Sequence, residues 1–303
     1  MNWFERMKSG ILTRIKREIP EAIWEKCKGC GETSYQTGLE SNSWICPYCG
    51  CHYPIGHARY VDLLADPGSF RVMDESVSTA DPLKFRDHRR YGDRIRESQR
   101  RSGINEAIYT GTCTMGDNPV CLGVMDTKYI LGSLGGATGE KIARLVDCAI
   151  AEGRSLVLVC QSGGARMQES TFSLMQMAKV SARLKRLSDA GLLYVCVLTD
   201  PTYGGVTASF AMLGDVLLAE PGARIGFAGP AVIKQFMGID DLPNGFQIAE
   251  NVLEHGFVDK VVPRNEMAAT LTRLIDLLAP PSAGAESRSS IRSTDGGSWI
   301  AEP

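Results

Sequence analysis

Four cysteines in two C-x2-C pairs, Cys27-Lys-Gly-Cys30 and Cys46-Pro-Tyr-Cys49, are the strongest constraint on how this chain can fold. Each short pair lets two thiolates converge on one ion, and four thiolates close a tetrahedral site of the kind that holds zinc. A closed site offers no position for water or substrate, so the Zn2+ is expected to be structural, one per chain. Its binding energy would fold a small ribbon over residues 23–56, too small for an apolar core of its own. Cys51 and His52 lie beside the second pair and read as bystanders, because four thiolates already saturate zinc. The start, MNWFERMKSG, has no apolar signal-peptide core. The reducing cytoplasm is therefore the expected compartment, and paired cysteines there read as metal ligands rather than disulfides. No apolar run reaches the roughly 18 residues of a membrane-spanning helix.

Ribbons of this kind often dock nucleic acid or protein. The net charge of -2 and pI near 6.1 give no bulk attraction for a polyanion. The arginines of the Asp81–Arg101 stretch alternate with Asp87, Asp93 and Glu97, which reads as a solvated or partner-facing helical surface. A zinc-ribbon nucleic-acid-binding regulatory protein is kept as the reading of another class.

Elsewhere the pattern divides the chain. Residues 1–22 read as an amphipathic helix ended by Pro20, and 280–303, rich in Pro, Ser and Gly, as a disordered tail. Between them, 57–279 read as one α/β domain. Ala58–Ala65 is expected as a helix, followed by an alternation from about Ile104: strand Val120–Asp126, helix Glu140–Glu152, strand Ser155–Cys160, helix Met167–Ala190. Strand Leu192–Thr199, helix Val206–Leu213 and strand Val216–Ala219 continue it.

Three glycine turns punctuate this alternation: Gly132-Ser-Leu-Gly135-Gly136, Ser162-Gly163-Gly164-Ala165-Arg166 and Tyr203-Gly204-Gly205-Val206. Glycine lets the backbone turn sharply at a helix N-terminus with its N–H groups exposed, and adjacent free N–H groups can stabilise an oxyanion. The chain has no phosphate-binding G-x-x-x-x-G-K-[ST], no G-x-G-x-x-G and no G-x-S-x-G. None of its four histidines falls in a glycine turn. Anion or enolate stabilisation without a protein nucleophile, base or catalytic metal is the chemistry these turns suggest.

The runs Ser162-Gly-Gly-Ala-Arg-Met-Gln-Glu169, Leu198-Thr-Asp-Pro-Thr202, Gly204-Gly-Val206, Ala208-Ser-Phe-Ala-Met-Leu-Gly-Asp215 and Ile225-Gly-Phe-Ala-Gly-Pro230 resemble the carboxyltransferase β subunits of bacterial and plastid acetyl-CoA carboxylase. So does the place of the ribbon, and the resemblance covers residues 1–275. It implies a crotonase-like (ClpP/crotonase) fold and an α2β2 assembly with a carboxyltransferase α subunit. The implied reaction moves a carboxyl group from carboxybiotin to acetyl-CoA, giving malonyl-CoA for fatty acid synthesis. In the family, backbone N–H groups of a Gly-Gly pair hold the thioester enolate, and the pair maps to Gly204 and Gly205. Gly135, Gly136, Gly163, Gly164 and Arg166 are candidate substrate contacts, Arg166 being equally a candidate brace of its loop; Lys141 and Arg144 are candidates for the CoA phosphates, with exposed helix-surface charge as the alternative. The chain lacks a biotinyl-lysine motif and a nucleotide loop, so biotin is expected on a separate biotin carboxyl carrier protein, charged by a separate biotin carboxylase. The chain alone should be inactive.

Two segments depart from the family pattern. Leu131 stands where the family usually has glycine. Ala231-Val-Ile-Lys-Gln-Phe236-Met-Gly-Ile-Asp-Asp241 replaces a segment usually richer in arginine and one residue shorter. Either neutral drift or a specialised paralogue, carboxylating another acyl-CoA or insensitive to an inhibitor, accounts for them.

Overall fold

The computed structural model describes residues 24–280. The expected N-terminal helix and all but the first residue of the expected tail lie outside them. The chain divides into two compact units that part between Tyr53 and Pro54.

The first unit holds β1 (Trp24–Lys26) and β2 (Thr33–Tyr35), paired antiparallel, and a short helix α1 (Gln36–Ser41). Trp24 and Tyr35 face each other across the pair, ring centroids 3.5 Å apart. Its two cysteine pairs are built alike, each followed by a glycine with positive φ. The N–H of Gly31 (φ 79°) donates to Cys27 O at 2.9 Å, and that of Gly50 (φ 73°) to Cys46 O at 2.9 Å. The Cys27 N–H donates to Glu32 O and the Cys46 N–H to Cys51 O. Left-handed backbone is easy only for glycine, so C-x2-C-G is the local unit here.

The second unit is built on seven strands in strict chain order: β3 (Arg71–Met73), β4 (Ile108–Met115), β5 (Asn118–Met125), β6 (Ser155–Ser162), β7 (Tyr194–Thr202), β8 (Val216–Ala219) and β9 (Lys260–Val261). β3, β4 and β5 pair antiparallel, and each later strand adds parallel to the one before it. β6 is buried at every residue, which is why its apolar run is unbroken rather than alternating. The helices are α2 (His57–Leu64), α3 (Tyr91–Ser102), α4 (Gly136–Glu152), α5 (Thr171–Asp189), α6 (Gly204–Thr207), α7 (Pro230–Met237), α8 (Ala249–Glu254) and α9 (Arg264–Leu278). The core lies between the sheet and the buried faces of α4 and α5, with Leu145, Val146, Val180 and Leu184 packed against Leu156, Leu158, Cys196 and Leu198.

The expected alternation is present, with two corrections. The helix expected over Met167–Ala190 is a 3-10 turn (Met167–Glu169) and α5, parted at Ser170, whose φ is 49°. The break leaves Arg166 and Glu169 facing one buried cluster. The helix expected over Val206–Leu213 is α6 and a separate 3-10 turn at Phe210–Met212, because Ser209 leaves helical geometry (φ -136°). No described helix is long and apolar enough to cross a membrane.

Candidate active site

Backbone hydrogen bonds draw the three glycine turns together. The Leu134 N–H donates to Gly164 O (2.9 Å) and the Arg166 N–H to Leu134 O (2.8 Å), while the Gly163 N–H reaches Leu131 O (2.8 Å). The Tyr203 N–H then donates to Ser162 O at 2.9 Å, and the Gly204 N–H to Phe227 O at 2.8 Å. The second and third turns meet backbone to backbone, since a Cβ built on Gly204 (φ 61°) would lie 3.0 Å from Gly164 Cα. Only glycine tolerates both that approach and that conformation.

The stitching decides which amides are free. Gly204, expected as one of two oxyanion donors, spends its N–H on Phe227. Gly163 and Gly164 likewise donate to Leu131 O and Ser162 Oγ, Gly135 to Thr138 Oγ1, and Gly136 to Glu169 Oε2. Gly205 is different. As the second residue of α6 its N–H has no intrahelical acceptor, and it donates to no other described residue. The same holds for the Ala165 N–H, because the bridge to Leu134 uses the Gly164 carbonyl and the Arg166 N–H on either side of it. The two groups are neighbours: a Cβ on Gly205 would sit 3.6 Å from Ala165 N, 3.2 Å from Ala165 Cβ and 3.2 Å from Met177 Sδ. Sequence reasoning missed Ala165. Its signal was position, directly after a Gly-Gly pair at the same kind of turn as Gly205.

Of the two roles open to Arg166, bracing the loop is the one the structure shows. The residue is 1% exposed and touches no open surface. Its Nη2 donates to Glu106 Oε1 (2.5 Å) and Ser133 O (2.8 Å), its Nε to Ser133 Oγ (3.0 Å), and its Nη1 to Glu169 Oε1 (3.0 Å) and Tyr91 OH (3.2 Å). Burial opposes its charge, but Glu106 above all holds the guanidinium ionised beyond its usual range. Burial also opposes ionisation of Glu169. Arg166, the Tyr91 hydroxyl and the Gly136 amide outweigh it and pull that pKa below the usual carboxylate range. Arg166 therefore clamps the first turn, at Ser133, to the second, where it sits itself. It acts on substrate only through that geometry.

Lys141 and Arg144 do not join the turns. Arg144 is exposed and paired with Glu140 (2.7 Å) and Asp74 (3.0 Å). Lys141 is 2% exposed and lines a pocket that shares no residue with the glycine turns. An apolar pocket of about 750 Å³ does adjoin the third turn, lined by Thr207, Ile225, Phe227, Phe246, His255 and Phe257. Leu131 has φ 56°, the conformation that the glycine it replaces would adopt without strain, and its side chain is 69% exposed beside Gly163.

In the ribbon, the sulfurs of Cys27, Cys30, Cys46 and Cys49 all lie within 4.8 Å of one another. Cys27 and Cys49 Sγ are 3.6 Å apart, and Cys30 and Cys46 Sγ 3.8 Å. A tetrahedron with Zn–S bonds of about 2.3 Å has edges of about 3.8 Å, so the four thiols fit a metal ion. The Gly29 N–H points at Cys27 Sγ (3.3 Å), as a thiolate requires.

The family model for the carboxyl transferase domain matches residues 60–295. A protein of a Synechococcus strain, called acetyl-coenzyme A carboxylase carboxyl transferase subunit beta, is 48% identical over 91% of this chain and 95% of its own. The chain belongs to the carboxyl transferase family. Another β subunit, from Microcystis aeruginosa, is 46% identical over 92% of this chain and 89% of its own. This carboxyl transferase also shares its fold with solved structures at lower identity. One is a Pseudomonas malonate decarboxylase hetero-dimer (TM-score 0.59, 22% identity, 75% of this chain and 88% of that one). Another is the transcarboxylase 12S core (TM-score 0.63, 23% identity, 73% of this chain and 40% of that one). The crotonase-like α/β fold expected from the sequence is the fold observed, and the chain is a carboxyltransferase enzyme of the β-subunit kind.

Proposed function

We propose that the chain is the β subunit of an acetyl-CoA carboxylase carboxyltransferase, transferring a carboxyl group to acetyl-CoA to give malonyl-CoA for fatty acid synthesis. The observation that carries the mechanism is the pair of unengaged amides, Ala165 and Gly205, held side by side by two turns whose other amides are already bonded. Carboxybiotin, brought by a separate carrier protein and charged by a separate biotin carboxylase, supplies the carboxyl group and the base for the thioester's α-proton. The chain's own work is to hold the thioester oxygen. As the α-proton leaves, that oxygen gains negative charge, and N–H donors fixed in place stabilise it more than the neutral carbonyl. Gly204 contributes by bringing Gly205 to Ala165, with its own N–H anchored on Phe227.

A partner is part of this reading. No residue of α7 is buried, and it exposes Val232, Phe236 (90%) and Met237; the segment entering α5 exposes Met167, Phe172 and Met175. Apolar surface of this extent marks an interaction site, and the α subunit of an α2β2 assembly is the occupant proposed. The ribbon carries one structural Zn2+, and the cytoplasm is the proposed compartment. Family membership supports the enzyme over the nucleic-acid-binding alternative.

Gly205→Val, assayed with the α subunit and carboxybiotin, is the test. The new side chain must displace Ala165 and Met177, and loss of one oxyanion donor lowers turnover by about 10²–10³. The variant is expected to keep its fold and one equivalent of zinc by elemental analysis. Wild-type turnover in it would sink the mechanism, and a wild-type ribbon that binds no zinc would sink the metal assignment.

A further inference from the structure

Lys141 poses a problem that the carboxyltransferase reading does not solve. Its side chain is 2% exposed, yet it makes no hydrogen bond or ion pair with any described residue. A buried ammonium without a partner loses several kcal/mol of hydration, so such groups are paired or neutralised unless something else meets them. The ammonium lies against a pocket of about 470 Å³, lined also by His57, Glu75, Asn105 and Tyr109.

Two other polar groups of that pocket are unspent. His57 Nδ1 and its backbone N–H both donate to Asp126 Oδ2, at 2.7 Å and 3.0 Å. That carboxylate is 1% exposed, and although burial opposes its charge, the His57 bonds pull its pKa below the usual range. The pairing fixes the imidazole and leaves Nε2 as its uncommitted nitrogen. The ring of Tyr109 packs on His57, centroids 4.8 Å apart, and its hydroxyl bonds to no described residue. The nearby acids do not answer Lys141. Glu106 is bound to Arg166 and Asp74 to Arg144, and Glu75 stands exposed at the rim, beyond ion-pair distance.

We propose that this pocket binds a small oxyanion, a carboxylate or a phosphate, with Lys141 as its cationic ligand and His57 and Tyr109 as neutral or donor contacts. A single ammonium, a fixed imidazole and a phenol around a cavity of this size suit a compact anion rather than a nucleotide. The site is distinct from the thioester cleft, whose turns contribute none of its lining, so it stands or falls independently of the Gly205 mechanism.

The test is calorimetric titration of the full-length chain with inorganic phosphate in one arm and malonate in the other, at constant ionic strength. Saturable binding of either anion is expected, and the tighter one names the class. Lys141→Met and Lys141→Gln should each weaken it at least tenfold while circular dichroism and zinc content are unchanged. If both variants fold poorly, the wild-type melting temperature serves instead: it should rise with the anion and not with sodium chloride at the same ionic strength. Undiminished binding in either folded variant, no saturable binding in the wild type, or displacement of the anion by acetyl-CoA would each overturn the proposal.

Discussion

Arg166 and Lys141 are both buried cations, and the same two pieces of chain serve them. α4 begins at Gly136, whose amide donates to Glu169 in the Arg166 cluster, and five residues on it carries Lys141. Asn105 lines the Lys141 pocket while the adjacent Glu106 binds Arg166. Yet Arg166 has every direction of its planar fork answered, and Lys141 has none. Full pairing makes a buried charge a clamp, and lack of pairing makes it a receptor. Arginine suits the first role because its donors are fixed relative to one another; lysine, a mobile point charge, suits the second.

Three variants press on this contrast. Glu106→Gln should have the largest effect. It leaves the buried guanidinium without its main counter-charge, a loss of about 3–5 kcal/mol by denaturant unfolding. A change below about 1 kcal/mol would mean that Arg166 is not a clamp. Lys141→Met in anion-free buffer should be neutral or stabilising by about 1 kcal/mol, since it removes an unmet charge.

The same pair of proteins gives a pH signature. Burial lowers the Lys141 pKa below 10.5, against the raising influence of Glu106, Asp74 and Glu75. The folded chain then binds fewer protons than the unfolded one between the lowered value and 10.5. Wild-type stability relative to Lys141→Met should therefore rise with pH across that window. A falling difference would reverse the contrast. Leu131→Gly should have a small effect of the opposite kind to Glu106→Gln. It relieves a left-handed leucine and should raise stability by about 1 kcal/mol, seen as an increase of about 2–4 °C in the melting temperature.

What was legible in the sequence was whatever a local rule governs. Spacing gave the four cysteines, and unbroken apolar runs gave β6 and β7. Glycines gave the turns, and the longer motifs gave the family. What was not legible depended on partners distant in the chain. β4 was not recognised: Gly111 interrupts Ile108–Met115, which becomes a strand by pairing with β5. Arg166 stayed open between loop brace and ligand contact, because nothing local tells that Glu106, 60 residues away, would bury it. Gly204 looked like an oxyanion donor until Phe227 O was seen to take its amide. Ser170 broke a helix that periodicity alone would continue.

The strict chain order of the seven strands has a consequence for how the molecule is made. Each strand from β4 onward pairs with the one synthesised just before it, so no strand waits for a later neighbour. Each pairing closes only the segment between neighbouring strands, so the entropy cost of each step stays modest. A growing chain can add its sheet one strand at a time as it leaves the ribosome, always at the edge away from β3.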